Sequence, residues 1–328
     1  MVKNAMKIFV TRIIPKPGLD LLKKYHKIEV FPHDRIPAKD EIIKGLRGKD
    51  GLLCLLSDPI DKDVINSESN LKMIASYAVG YDNIDIAAAT KKGIPVSNTP
   101  GVLTDSTAEM AWALLFSVSR RIVEADKFTR DGKFIGWGPM LMLGQDVSNK
   151  TLGIIGAGRI GTAMALKSKG FDMKVLYVSG HKNNALEKEL NAEKVKLSRL
   201  LEESDFISLH VPLTDKTHHL IGEKELRMMK ETAIFVNTSR GPVVDEKALV
   251  KALKENWIFG AGLDVYENEP KIAKELLKLD NVVLQPHSAS ATVNSRNRMA
   301  VMSAENMLAG LKGEVPPNCV NPEVFGKK

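Results

Sequence analysis

From Met6 to about Asn98 short apolar runs alternate with amphipathic stretches: KIFVT, a helical pattern near Leu19 to Lys24, GLLCLLS, LKMIASYA, a helical pattern near Ile84 to Lys92, then GIPVSN. Alternation at this spacing predicts a parallel sheet covered by helices. The turn NTPG, Asn98 to Gly101, opens a different segment. From Leu103 to about Arg130 apolar residues recur at helical spacing without a proline, which predicts one long helix or two abutting ones, able to bridge two domains. The alternation then restarts with TLGIIG, KVLYVS, DFISLHVP, AIFVNTS, IFGAGLD and NVVLQP as strands. A last helix near Thr292 to Leu311 and a Pro-rich tail follow the second sheet, so the chain is expected to return to its first domain. The expected division is 1–99 with 288–328 as a discontinuous outer domain and 100–287 as the inner one. No repeat of solenoid type interrupts this picture.

Composition narrows the class without changing the architecture. The chain has 328 residues, 44% hydrophobic and 27% charged, enough for two domains with their own cores. No apolar stretch reaches the roughly 18 residues that span a bilayer, and the start, MVKNAMKIFVTR, goes straight into a strand-like run without a leader pattern. A cytoplasmic, non-membrane protein is expected. Cys54 and Cys319 form neither a disulfide framework nor a metal spacing. The net charge of +7 comes from Lys and Arg interleaved with Asp and Glu, which fits an anionic small molecule better than nucleic acid. The adjacent His218 and His219 point in different directions on any regular element, with no other His or Cys spaced to complete a set, so no metal is expected.

The most informative string is TLGIIGAGRIG. It closes a buried strand and opens a helix, the context in which GxGxxG is a dinucleotide-binding fingerprint. Gly156 suits the tight turn, Gly158 lets backbone approach a pyrophosphate, and Gly161 allows close helix packing. The next strand, KVLYVS, should end at the adenosine ribose, where a plain NAD site places an acid. Here stand Ser179, Gly180, His181 and Lys182. A hydroxyl and two potential cations fit a 2'-phosphate better than a diol, so NADP(H) is the expected cofactor, with NAD(H) as the alternative.

Three strand-end residues complete a reducing site for a 2-keto acid. Arg240 in NTSRG can grip a carboxylate bidentately, His287 in QPHSASAT can donate a proton, and Glu269 in ENEP can hold the histidine protonated if the two touch. In an open parallel sheet such residues converge at the carboxyl ends of the strands.

With these residues in view, the chain resembles the D-isomer-specific 2-hydroxyacid dehydrogenases, in VGYDNID, NTPGVLTDSTAEMAWAL, GWGP, NKTLGIIGAGRIG, HVPLTDKTHHLI, NTSRGPVVDEKAL, GLDVYENEP and QPHSASAT. Within them it looks most like the glyoxylate and hydroxypyruvate reductases. The motifs run in order over nearly the whole chain. The resemblance implies an α/β protein of two doubly wound parallel-sheet domains, a flavodoxin-like substrate domain and a Rossmann nucleotide-binding domain, with the active-site cleft between them. It implies that Arg240, Glu269 and His287 match the catalytic arginine, glutamate and histidine, and that Val79 and Gly80, with Leu55, contact the substrate. Thr107, Thr238, Ser239 and Asp264 match positions near the nicotinamide; Ala157, Gly158, Arg159 and Ile160 match the pyrophosphate loop. Val211 and Pro212 match the adenine side, and Thr217 and Ser290, with Arg240 and His287, also count among the cofactor-binding positions. The Leu103 to Arg130 region corresponds to a dimer-forming segment, and Trp137 to a tryptophan that reaches the partner's active site, so a homodimer is implied. One departure stands out: NADP-using reductases of this type often carry an arginine where this chain has Gly180. The rivals are a phosphoglycerate or D-lactate type NAD-dependent dehydrogenase, and a non-catalytic dinucleotide-sensing protein.

Overall fold

The computed structural model describes residues 5–326. Residues 1–4, part of the start read for a leader, and residues 327–328 of the tail lie outside the described residues. The chain divides into two compact units, one holding the residues up to Leu103 and from Ala291 onward, the other Thr104–Ser290. The sequence reading sets these junctions at 99 and 287. The turn that starts at Asn98 stays with the first unit through Leu103, its start tied down by the Thr99 amide on the Ala78 carbonyl at 2.8 Å and the Asn98 amide on that of Asn318 at 3.2 Å.

The first unit is a five-stranded parallel sheet of β1 (Lys7–Val10), β2 (Lys27–Val30), β3 (Gly51–Cys54), β4 (Met73–Ser76) and β5 (Val96–Ser97), in the order β2-β1-β3-β4-β5. That is the flavodoxin-like order. Ile42, Leu46, Leu52, Ile65 and Ile74 are among the fully buried side chains of one face. On the sheet's far side the returning helix Val293–Leu311 packs on helix Lys16–Lys23, so closely that a Cβ on Gly18 would lie 2.4 Å from the Ala300 carbonyl oxygen. Thr292 caps the returning helix through its side chain. The tail then joins the sheet edge: Val320 donates to the Val96 carbonyl and the buried Asn321 side chain accepts from the Val96 amide.

The second unit is a seven-stranded parallel sheet of β6 (Thr151–Ile155), β7 (Lys174–Val178), β8 (Glu193–Lys194), β9 (Phe206–Leu209), β10 (Ile234–Asn237), β11 (Gly260–Leu263) and β12 (Val282–Leu284), in the order β12-β11-β10-β9-β6-β7-β8. This is the doubly wound dinucleotide-binding order extended by one strand, and its direction of winding reverses between β6 and β9. Buried clusters fill both faces, as near-continuous apolar strands require. The segment read as one or two helices is two, Thr104–Ser119 and Ile122–Arg130. Arg121 between them has φ +51°, a left-handed residue that no helix continues through. The first of the pair packs on β10 and β11, where Gly262 leaves room for Leu114. Among the described residues no helix is long and apolar enough to cross a membrane.

Candidate functional site

The carboxyl edge of the seven-stranded sheet gathers most of the expected residues. Gly156 follows β6, Ser179 follows β7, Thr238 to Arg240 follow β10, Asp264 follows β11 and His287 lies just past β12. The register aligns Asn237 with Leu263 and Leu263 with Leu284, so the loops after β10, β11 and β12 leave the sheet at one level.

The three glycines behave as their spacing predicts. Gly156 has φ +98°, and a Cβ there would sit 2.7 Å from the His210 backbone; one on Gly161 would sit 2.1 Å from the Gly156 carbonyl oxygen. A Cβ on Gly158 would meet nothing within 4 Å. Gly158 is the N-cap of helix Arg159–Leu166 and offers that terminus no side-chain cap, so the first-turn amides have no side-chain acceptor at the cap. A helix start of this kind suits a pyrophosphate, so the residues present fit a bound dinucleotide. Asn183, which sequence reasoning missed, ties the neighbouring loop to this turn: its side-chain amide donates to the Ala157 carbonyl at 3.1 Å and to Thr162 Oγ1 at 2.8 Å. Beside the turn, burial pushes the His210 imidazole down to about 3, so it is neutral there. Val211 and Pro212 follow it, and Thr217 Oγ1 closes their loop by donating to the Pro212 carbonyl at 2.6 Å.

At the end of β7, Ser179 is half-buried while Gly180, His181 and Lys182 are exposed. Lys182 Nζ lies 2.8 Å from Glu187 Oε2 on helix Asn184–Leu190. That hydrogen bond raises the ammonium above its ordinary value, and the Lys182 and Tyr177 hydrogen bonds lower the Glu187 carboxyl.

The chemical residues meet on the other wing. His287 Nδ1 lies 2.8 Å from Glu269 Oε2, and Glu269 Oε1 accepts the Tyr266 amide at 3.0 Å. Burial would raise the Glu269 carboxyl, but the hydrogen bond and charge of His287, the Tyr266 amide and the Arg240 guanidinium together bring it below its ordinary value. Glu269 therefore stays a carboxylate and holds the ring by Nδ1, which leaves Nε2 as the other ring nitrogen. His287 has φ +53°, a conformation that non-glycine residues adopt only when held. Asp264 does the holding: its carbonyl accepts the His287 amide, and its carboxylate oxygens accept Ser288 N at 2.7 Å and Ala289 N at 2.9 Å. Burial raises the Asp264 carboxyl against the pull of these two amides.

Arg240 is half-buried, with Nη1 donating to the Ser239 carbonyl at 2.9 Å. Its loop is organised by the buried Asn237, which accepts from the Ser239 amide and hydroxyl and donates to the Arg240 carbonyl. Gly241 then seats the loop against the one carrying Glu269; a Cβ there would lie 1.8 Å from the Tyr266 carbonyl oxygen. The Glu269 loop is fastened from beyond as well, Glu246 and Glu267 accepting each other's amides while His219 pairs with Glu267 at 2.8 Å. These supports are not read from the sequence. The local signal for one of them is an Asn that ends an apolar strand before a turn, where its side chain bonds nearby backbone.

The remaining expected residues are placed as follows. Thr107 and Thr238 are buried, and Ser290 is the last residue of the second unit. Val79 and Gly80 lie in the turn after β4, with the Val79 carbonyl accepting from Asn98. Leu55 follows β3, its amide bonded to the buried Asp58 and its carbonyl to Asn83. Trp137 is 86% exposed. Among the described residues no group of three or more His, Cys, Asp or Glu side chains is arranged to hold a metal ion.

Comparison with known proteins gives this arrangement its context. Residues 112–289 match the model of the D-isomer specific 2-hydroxyacid dehydrogenase NAD binding domain. A glyoxylate reductase of Korarchaeum cryptofilum is 55% identical over 320 residues, 97% of this chain and 96% of that protein. A solved structure from Thermus thermophilus is 43% identical with a TM-score of 0.90, covering 96% of this chain and all (100%) of its own. An NADPH-dependent glyoxylate/hydroxypyruvate reductase of Sinorhizobium meliloti, solved with NADP and malonate, is 29% identical with a TM-score of 0.86, covering 98% of each chain. With identity at this level along nearly its full length, a nicotinamide dinucleotide as its cofactor and oxidoreduction as its chemistry, the chain belongs to the D-isomer-specific 2-hydroxyacid dehydrogenase family.

Proposed function

We propose that the protein is a cytoplasmic glyoxylate/hydroxypyruvate reductase that uses NADPH in preference to NADH and forms glycolate or D-glycerate. The observation that carries the reading is the His287–Glu269 pair at 2.8 Å beside the Arg240 loop, on the sheet edge that also bears the glycine turn. The names of the relatives support the substrate class.

In this reading Arg240 holds the substrate carboxylate and polarises the keto oxygen. The Rossmann unit holds the dinucleotide through Ala157 to Ile160 at the pyrophosphate, Ser179 to Lys182 at the ribose, Val211, Pro212 and Thr217 at the adenine side, and Thr107, Thr238, Ser239, Asp264 and Ser290 toward the nicotinamide. The bound dinucleotide supplies the hydride. His287 Nε2 gives its proton to the developing alkoxide, and the Glu269 carboxylate stabilises the imidazolium before that transfer.

The deciding experiment compares rates with NADPH and NADH, each against glyoxylate, hydroxypyruvate and pyruvate. Fastest turnover of glyoxylate or hydroxypyruvate with NADPH is expected. Faster turnover of pyruvate with NADH overturns the reading in favour of a D-lactate type enzyme. Placing an acid at the strand end tests the coenzyme half: Ser179→Asp is expected to shift the preference toward NADH, since a carboxylate accepts from ribose hydroxyls and repels a 2'-phosphate. An unchanged preference means that Ser179 does not face the ribose.

We propose further that the protein is a homodimer. Supporting it are Ile122, Val123, Phe134, Ile135, Trp137 and Met140, which fall within one stretch and are each at least half exposed, Ile135 at 98%. Apolar side chains concentrated on a surface in this way mark an interaction site. Light scattering is expected to give twice the chain's 36.1 kDa, and a monomer mass excludes the dimer.

A further inference from the structure

The acid expected at the end of β7 is absent, yet the helix that follows, Asn184–Leu190, carries a carboxylate placed with more support than a surface residue needs. Glu187 Oε1 accepts the Tyr177 hydroxyl at 2.7 Å, and that hydroxyl itself accepts the Asn183 amide at 2.9 Å. The Tyr177 ring is fully buried in the sheet, so this end of the network is fixed. Lys182, two-thirds exposed (66%), rests on the other oxygen, Glu187 Oε2. The same segment is anchored to the glycine turn by the Asn183 side chain, and Lys194 Nζ reaches the Gly180 carbonyl at 3.5 Å. A charge balance at Lys182 is thus built in beside Ser179, with the negative member hydrogen-bonded to the buried Tyr177 and the positive member exposed.

We propose that Glu187 is a specificity-determining residue: anchored by Tyr177, it neutralises Lys182 and thereby limits how strongly this chain favours a phosphorylated dinucleotide over a plain one. The proposal rests on the reading that Ser179 to Lys182 face the adenosine ribose. In place of a strand-end carboxylate touching the diol, this chain uses a carboxylate that acts through its hold on a lysine. Gly180 carries no side chain to add a further cation, and Lys182 is the residue of this loop that Glu187 contacts directly, so its charge is the one Glu187 offsets. Lys194 is the other ammonium near Glu187, and it stays in place when Lys182 is changed.

The test reads coenzyme dissociation constants by NADPH and NADH fluorescence titration for the wild type, Glu187→Gln, Lys182→Met and the double variant. Gln can still accept from Tyr177, so only the charge is removed. Glu187→Gln is expected to tighten NADPH relative to NADH about 5-fold, the size of an exposed charge interaction, and the gain should shrink as salt is raised. Adding Lys182→Met should erase it. An unchanged ratio in Glu187→Gln, an equal loss for both coenzymes, or a gain that survives in the double variant each overturns the proposal. Because binding is read without turnover, a wild type that prefers NADH overturns the NADPH reading and leaves the Glu187 comparison to be decided by the same ratios.

Discussion

His287→Ala is expected to lower kcat with glyoxylate by at least ~100-fold, the contribution of a positioned general acid. Alanine removes the imidazole and with it the proton donor that the loop after β12 brings to the sheet edge within reach of Glu269. Because the proton is transferred only as the alkoxide forms, kcat and kcat/KM should fall together, which steady-state kinetics on both coenzymes resolves. A variant keeping most of its kcat removes His287 from the mechanism. Glu269→Gln separates charge from shape in the same pair. The amide can still bond Nδ1 but brings no negative charge to the ring, so kcat with glyoxylate is expected to fall, by less than in His287→Ala, and a variant with unchanged kcat shows that the charge of Glu269 is not used. In the wild type the carboxyl is held below its ordinary value by His287, the Tyr266 amide and Arg240 in spite of the burial that opposes them. For stability the sign is set by that depression: the contribution of this carboxyl is complete above the ordinary carboxylate range and is lost as pH falls through its lowered value.

How far the sequence reveals this site depends on whether a feature is local. The glycine turn is local: tight turn, open backbone and close packing each demand a missing Cβ at a fixed spacing, and Gly156, Gly158 and Gly161 meet those demands in the structure. The strand ends are nearly as legible, because a buried strand in a parallel sheet is a continuous apolar run and its end is where polarity returns. Edge strands are not. β2, KIEV, alternates exposed and half-buried positions, and β8 is two exposed residues, so neither carries an apolar run and neither is anticipated. The helices Lys39–Leu46 and Lys62–Asn66 are also not anticipated; each is only about two turns or fewer, too short for a firm period. The supports of the Glu269–His287 pair are long-range. That Asp264 clamps Ser288 and Ala289, or that Glu246 and Glu267 exchange amides, follows from strands brought side by side by the sheet and has no signature at either position. The left-handed His287 accompanies that clamp; histidine tolerates positive φ better than most residues, but QPHS alone does not require it. The partnership of Lys182 with Glu187 is short-range, yet it is hidden because a helix turn and a buried tyrosine decide which carboxylate the lysine meets.

Arg240 is where the second large effect is expected. Arg240→Ala should reduce kcat/KM for glyoxylate about 10³-fold and Arg240→Lys about 10²-fold, the range seen when a preorganised donor to a developing oxyanion is removed. The lysine result is the more telling. Its ammonium restores the charge but not the planar fork that meets a carboxylate with two parallel N–H bonds, so a large loss in Arg240→Lys shows that geometry matters beyond charge. The setting explains why geometry is available here. Asn237 fixes the Arg240 carbonyl and the Ser239 amide, and Gly241 lies so close to the Tyr266 carbonyl that the arginine loop and the Glu269 loop cannot move independently. The backbone that carries the guanidinium is thus fixed in advance, and Nη1 is held on the Ser239 carbonyl; if Arg240 grips the keto acid, that lowers the cost of orienting it. Guanidinium ion added to Arg240→Ala should recover part of the lost rate, because the loop still shapes a site for it, and recovery should be weaker in Arg240→Lys, whose ammonium occupies the position. If Arg240→Lys stays within a few-fold of the wild type, the residue acts as a simple point charge and the bidentate role is wrong.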